Sequence, residues 1–232
     1  SVIDLILEKM PVSISIGLWI TLLSYLISIP LGIRKAVKDG TAFDVWTSGI
    51  VIVGYAIPGF LFGILLMVLF AGGSFYDWFP LRGITSDNWD QLSWPARIVD
   101  YLWHMTLPLT ALVLSAFATT TLLTKNSFLE EIRKQYVVTA RAKGLSETRI
   151  IWGHALRNAA VPMVTVIALS YAGLLEGSVL TETVFSWPGI GLYITNSLQN
   201  ADMNAVLGGT IIIGSVFIGI NLLSDLLYRV LD

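Results

Sequence analysis

The chain has no cysteine and only two histidines, His104 and His154, among 232 residues. Without cysteine there is no disulfide scaffold, no thiolate-bound zinc or iron–sulfur centre and no thiol nucleophile. No H-E-x-x-H run and no G-x-x-x-x-G-K-[ST] run occurs, which removes a zincin site and a P-loop. The sparse histidines also leave no Ser–His or metal constellation for a membrane-embedded hydrolase. Charge is scarce as well: 13% of residues are charged, against about 25% in a soluble domain. A net charge of −2 gives no basic footprint for nucleic acid. What fills the chain is apolar, with 55% hydrophobic and 11% aromatic residues and a mean hydropathy of +0.74. So apolar a chain cannot cover itself with polar surface, which excludes a soluble globular domain and a disordered one.

A membrane span needs about 20 mostly apolar residues. Five stretches qualify: Pro11 to Ile33, Val45 to Ala71, Met105 to Thr124, Val161 to Leu180 and Ala205 to Leu227. Lys and Arg accumulate on the cytoplasmic side of such spans. Placing the Arg34–Asp44 loop inside also puts Lys125, Arg133, Lys134, Arg141, Lys143, Arg149, Arg157 and Arg229 there, and leaves only Lys9, Arg82 and Arg97 outside. The expectation is an all-α, polytopic membrane domain over 1–232. Its N-terminus lies outside, its C-terminus inside, and a sixth, N-terminal helix is expected upstream. Ile3, Ile6, Leu7 and Met10 recur at helical spacing opposite Asp4, Glu8 and Lys9, which predicts a short amphipathic helix at the outer interface. The extracytoplasmic loop 72–103 is rich in Trp, Tyr and Phe. It serves as an interfacial aromatic belt or as a docking surface for an extracytoplasmic partner; the two are compatible.

The cytoplasmic loop 126–160 is the one long, charged and well-patterned polar stretch. Ser127-Phe128-Leu129-Glu130 fits a capping box and predicts a helix start. Leu129, Ile132, Tyr136 and Ala140 form one apolar face. Gly144 suits a left-handed C-terminal cap, and Arg141 and Lys143 suit the last turn. Ser146 is an N-cap for a second short helix, Glu147 suits its first turn, and Ile150, Ile151 and Leu156 are its apolar positions. Helix, glycine turn and short helix make either a connector or a lever on which a soluble partner pushes. DNA reading is disfavoured because both ends are tethered at the bilayer.

Gln135-Tyr136-Val137-Val138-Thr139-Ala140-Arg141-Ala142-Lys143-Gly144-Leu145-Ser146-Glu147, followed by His154-Ala155-Leu156-Arg157-Asn158-Ala159 and Pro162, resembles the coupling loop of ATP-binding-cassette importer permeases of the dipeptide/oligopeptide branch. Thr181-Glu182-Thr183-Val184-Phe185-Ser186-Trp187-Pro188-Gly189-Ile190-Gly191 and the segment from Leu223 to Asp232 resemble that branch too. The outer run from Arg82 to Trp89 is similar to microcin C-type peptide importers. The wider consensus, Glu-Ala-Ala, three residues, then Gly, is matched only at Ala140 and Gly144, with Val138 where a carboxylate would stand. The resemblance implies a type I importer transmembrane fold with no catalytic residue, no metal and no cofactor of its own. It implies partners: a homologous second permease, two ATPase subunits that use ATP and Mg, and an extracytoplasmic substrate-binding protein, all at the lipid membrane. Tyr136, Ala140, Lys143, Gly144, Leu145, Ser146, Glu147, Ile150 and Ile151 would couple to the ATPase. The sequence-level alternative is an ion-coupled secondary transporter.

Within the spans, Pro58 and Gly59 predict a bend lining a pathway. Glu176 is either a substrate-facing carboxylate or a helix–helix partner. Gly173 and Gly177 suggest a close helix contact. Asp225 and Arg229 are spaced for a local ion pair. Trp187, Pro188 and Gly189 predict a scoop near an outer gate.

Overall fold

A computed structural model describes residues 2–160, 163–164 and 179–231, with side chains left aside at 224 and 227–231. Glu176, Gly173, Gly177 and Pro162, most of the predicted fourth span and the side chain of Arg229 lie outside the described residues. Among those described there are helices, one isolated bridge between Ala71 and Phe79, and no strand. The elements are α1 (Val2–Val37), α2 (Ala42–Ala56), α3 (Gly59–Phe70), a 3-10 turn (Trp89–Gln91), α4 (Trp94–Ile132), α5 (Gln135–Ala142), α6 (Glu147–Arg149) with a π-helical turn (Ile150–Ala155), α7 (Val179–Val184), α8 (Ile190–Gln199) and α9 (Met203–Leu231). Among the described residues, three helices are long and apolar enough to cross a membrane, and a fourth if α2 and α3 are taken as one broken span. The break falls at Ile57-Pro58, as the Pro58-Gly59 pair predicts. A proline there cannot donate into the ladder, and its carbonyl instead receives the amides of Leu61 and Phe62 at 3.0 Å.

The chain forms two compact units. The first comprises Ser1–Ile20, Ile57–Ser115 and Gly173–Ser215. The predicted interfacial helix is not separate here, because Val2 to Met10 is the first part of α1, continuous through Pro11. Packing accounts for this. Ile6 is buried, and a side chain at Gly208 would strike Val2, so α9 offers glycine where α1 crosses it. The aromatic loop is stitched down locally. Trp103 Nε1 donates to the Trp78 carbonyl at 2.9 Å, and Ser86 donates through its amide (2.9 Å) and its hydroxyl to the Asp100 carboxylate. Arg97 donates to the carbonyls of Trp89, Leu92 and Asp90. Phe70, Tyr76 and Trp78 stack with centroids 4.6–6.0 Å apart, and Phe75, Tyr76 and Trp78 remain exposed.

The second unit comprises Thr21–Ala56, Ala116–Ala172 and Val216–Asp232. Its core brings Ile33 and Ala36 of α1 against Phe128 of α4, Ala155 at the end of the π-helical turn and Ala159 beyond it. Buried Ser24, Ser28 and Gly32 recur every four residues along α1, and buried Thr120, Thr121 and Thr124 line α4. Such small side chains let two helices approach closely. Ser28 Oγ donates to the Phe117 carbonyl at 3.1 Å, and a Cβ at Gly32 would lie 2.6 Å from Thr124 Cβ.

Candidate functional site

The 126–160 loop begins differently from its sequence signature. No helix starts at Ser127, because α4 runs unbroken to Ile132 and α5 starts at Gln135 after a turn at Arg133 and Lys134. The capping-box preference is local and weak beside the burial of Phe128, which fixes this stretch as a continuation of α4. The apolar face therefore divides, with Leu129 and Ile132 on α4 and Tyr136 and Ala140 on α5.

The joint between the two helices is polar. Glu131 receives Lys134 Nζ at 2.6 Å and the Tyr136 hydroxyl at 2.9 Å. The Tyr136 oxygen accepts in turn from Asn158 Nδ2 at 3.2 Å. Burial raises the affinity of the Tyr136 phenol for its proton, and its bond to Glu131 adds to this. The hydrogen bond to Glu131 likewise raises the pKa of Lys134.

The end of α5 follows its glycine. Gly144 has φ of +79°, a conformation that glycine adopts without cost. Its amide donates to the Arg141 carbonyl at 2.9 Å, and the Leu145 amide donates to the Ala140 carbonyl at 3.2 Å. These are the two bonds of a Schellman cap. Ser146 stands at the N-cap of α6 without a side-chain capping bond. Glu147 instead turns back across the glycine to Arg141, which donates from Nε at 2.7 Å and from Nη2 at 3.1 Å. This fork holds the Glu147 carboxyl below, and the Arg141 guanidinium above, their ordinary values. The glycine turn is thus closed twice, by backbone and by a two-pronged ion pair.

The nine predicted coupling residues separate by burial. Lys143, Gly144, Ser146 and Glu147 are exposed at the tip. Tyr136, Ala140 and Leu145 are half-buried. Ile150 is fully buried, and Ile151 packs on the Ile33–Phe128 core, so both act as anchors. Two large apolar residues outside the predicted coupling set are exposed: Val138 and Trp152, the latter 53% exposed. Trp152 stands on the π-helical turn, where the shifted repeat takes it out of register with buried Ile150 and Ala155. His154 is exposed nearby, and His104 is buried with Nδ1 2.8 Å from the Asp100 carbonyl.

The second signature makes a buried turn in the first unit. After α7, Ser186 takes φ of +54° and reverses the chain. Trp187 is buried and donates through Nε1 to the Gly83 carbonyl at 3.2 Å, while the Gly83 amide donates to the Phe185 carbonyl at 3.2 Å. The first amides of α8 find partners far off in sequence. Leu192 donates to Glu182 Oε2 at 2.7 Å, and Ile190 donates to Ser13 Oγ at 3.0 Å. The Ser13 hydroxyl donates to Glu182 Oε1 at 3.3 Å. The Glu182 carboxyl thereby serves the N-terminus of α8, directly through Leu192 and by way of Ser13 through Ile190, meeting amides that the helix itself leaves unpaired. Gly189 leaves room for this carboxyl, since a Cβ there would fall on it and displace it. Glu182 was missed as a site residue, although it stands inside the recognised signature. Pro58 caps α3, and Gly59 faces α4, where an added Cβ would lie 3.5 Å from the Ala111 carbonyl oxygen.

Residues 28–232 match the family described as binding-protein-dependent transport system inner membrane component. The chain is 59% identical over 233 residues to the peptidoglycan transport system permease protein YejB of Agrobacterium fabrum (strain C58 / ATCC 33970), covering all of this chain and 64% of that protein. It is 36% identical over 236 residues to the dipeptide transport system permease protein DppB of Escherichia coli (strain K12), covering 95% of this chain and 69% of that one. The chain thus spans somewhat under two thirds of the length of its Agrobacterium relative. Among solved structures, the MetNI methionine ABC transporter in inward-facing conformations matches with a TM-score of 0.71 at 14% identity, over 99% of this chain and 97% of that one. That likeness shows a shared type I importer transmembrane fold. The chain belongs to the family of binding-protein-dependent transport system inner membrane components, as a multi-pass protein of the inner membrane.

Proposed function

We propose that the whole protein is the pore-forming permease subunit of an ATP-driven importer that moves peptides or peptide-like solutes inward by alternating access. The observation that carries this reading is the 135–160 unit, a glycine turn closed by a Schellman cap and the Arg141–Glu147 fork, anchored by buried Val137, Ile150 and Ala155. A rigid projection anchored in this way passes on a push as rigid-body motion. Its exposed residues, Val138, Lys143, Glu147 and Trp152, form the surface that meets an ATPase subunit. Trp152 is exposed there, and Trp is among the residue types enriched at binding hot spots. ATP and Mg belong to two separate ATPase subunits. A homologous second permease and an extracytoplasmic binding protein complete the assembly. The peptide cargo rests on the names of the relatives, one a peptidoglycan and one a dipeptide permease. Pro58, Gly59 and Glu176 are assigned to the pathway, and Trp187, Pro188 and Gly189 to the outer gate.

The test compares the full-length permease reconstituted alone with the complete importer. Labelled peptide is expected to move only with the ATPase subunits and ATP. Gly144→Pro is expected to abolish peptide-stimulated ATP hydrolysis while the complex still assembles. Uptake by the permease alone under an ion gradient would sink the proposal.

A further inference from the structure

At the cytoplasmic ends of α1, α2 and α4 lies a buried cluster of charge that neither the sequence motifs nor the coupling surface uses. Lys35, in the last turn of α1, is fully buried. Its ammonium stands 2.9 Å from Asp44 Oδ1 and donates to the Asp44 carbonyl at 2.9 Å and to Thr47 Oγ1 and Ser48 Oγ at 2.8 Å each. The other carboxylate oxygen, Asp44 Oδ2, receives Lys125 Nζ of α4 at 2.7 Å and the Gly40 amide at 3.2 Å. Lys125 also reaches Asp39 Oδ1 at 3.0 Å, whose second oxygen takes Arg133 Nη2 at 3.2 Å.

Ions buried together are poor adhesive, because desolvation consumes most of their attraction. Apolar side chains would hold three helices together as well. Charge adds direction instead. The two oxygens of Asp44 are committed to different helices, so α1 and α4 can neither slide nor rotate against each other without leaving a buried ion unpaired. The seam beside the cluster allows no slack either, since Gly32 meets Thr124, the residue before Lys125. Phe128, one turn further on, is locked in the core with Ala155 and Ala159 of the coupling loop.

We propose that Lys35, Asp44 and Lys125 are positioning residues that form a permanently closed ionic joint. The joint makes the α1–α2 corner and the cytoplasmic end of α4 one rigid piece. A push on the 135–160 unit then displaces α1 and α2 instead of being absorbed by bending of α4. This inference rests on the coupling reading above.

The test uses the full-length permease in its complete importer, reconstituted in liposomes in a background cleared of other cysteines. Asp39→Cys and Lys125→Cys are introduced together and joined by a short, reducible thiol crosslinker, which leaves the Lys35–Asp44 pair intact. Crosslinked protein is expected to transport with the wild-type ratio of peptide moved to ATP hydrolysed. After reduction that ratio is expected to fall at least about 10-fold while ATP hydrolysis continues. Asp44→Asn is expected to uncouple in the same way, and if it fails to assemble, the cysteine pair decides. Failure of the pair to crosslink, normal coupling after reduction, or loss of transport on crosslinking would each overturn the joint. Gly144→Pro separates the two readings. If it leaves coupling normal, the coupling reading itself falls; if it uncouples and the reduced cysteine pair does not, only the joint falls.

Discussion

Gly32→Ala probes the seam between α1 and α4 with a single methyl group. The added Cβ would lie 2.6 Å from Thr124 Cβ, 2.7 Å from Thr124 Cγ2 and 2.9 Å from the Thr121 carbonyl oxygen. Carbon atoms settle at about 3.5–4.0 Å, so relief requires about 1 Å of separation. Rotating Thr124 cannot provide it, because its Cβ and the Thr121 backbone are both fixed to α4. The helices must part, and overpacking of this kind costs about 1–3 kcal/mol. In a chain of this size each kcal/mol moves the melting temperature by about 2–4 °C, so a loss of about 2–12 °C is expected. Gly49→Ala is the control, with nothing within 4 Å of the added methyl. It removes the same conformational freedom and gains helix propensity, so it should not melt earlier. The assay is thermal melting of the detergent-solubilised full-length permease at one scan rate, since unfolding of such proteins is often irreversible. If Gly32→Ala melts within about 1 °C of Gly49→Ala, the close approach of α1 to α4 is refuted.

Two further outcomes follow from the same geometry. Glu147 has its carboxyl held below its unfolded value of 4.5 by Arg141, so its contribution is fully present above pH 4.5 and is lost as pH falls through the lower, folded value. Amide protection at Gly144 and Leu145 should therefore drop on acidification in the wild type. In Glu147→Gln it should be weaker at neutral pH and lack that acid limb; an unchanged acid limb would dissociate the fork from the turn. Gly189→Ala should destabilise the Trp187 turn by about 1–3 kcal/mol, because the methyl displaces the carboxylate that serves the first turn of α8. Gly214→Ala, with open space around it, should not, and equal melting of the two would refute the assignment of Glu182 as the cap.

Features that depend on composition and short-range chemistry were legible in the sequence. Long apolar runs gave α1, α4 and α9, Pro58-Gly59 gave the break between α2 and α3, and Gly144 gave the cap of α5. The misread features depend on what lies opposite. Lys35 and Asp44 resemble ordinary charges at the mouth of a loop, and only the approach of Lys125, eighty-one residues after Asp44, makes burial of the pair tolerable. Ser24, Ser28 and Gly32 are hidden inside an apolar run, where small residues carry no contrast until the threonines of α4 face them. Glu182 reads as one more polar letter in a signature, because its partners Ser13 and Leu192 come from two other helices.

The capping box at Ser127 shows why the distinction matters for function. Had the chain broken there, a flexible connection would separate the spans from the coupling unit, and a push on the unit would be dissipated. The break lies instead at Arg133 and Lys134, so α4 carries eight residues beyond Thr124, about 12 Å of continuous helix. That extension holds both Lys125, which grips Asp44 and Asp39, and Phe128, which seats the far side of the coupling loop. One rigid segment thus bears the ionic joint on one side and the loop's anchor on the other. The weak local signal for a helix start lost to burial of a single aromatic ring, and that outcome keeps α4 continuous up to the turn at Arg133 and Lys134.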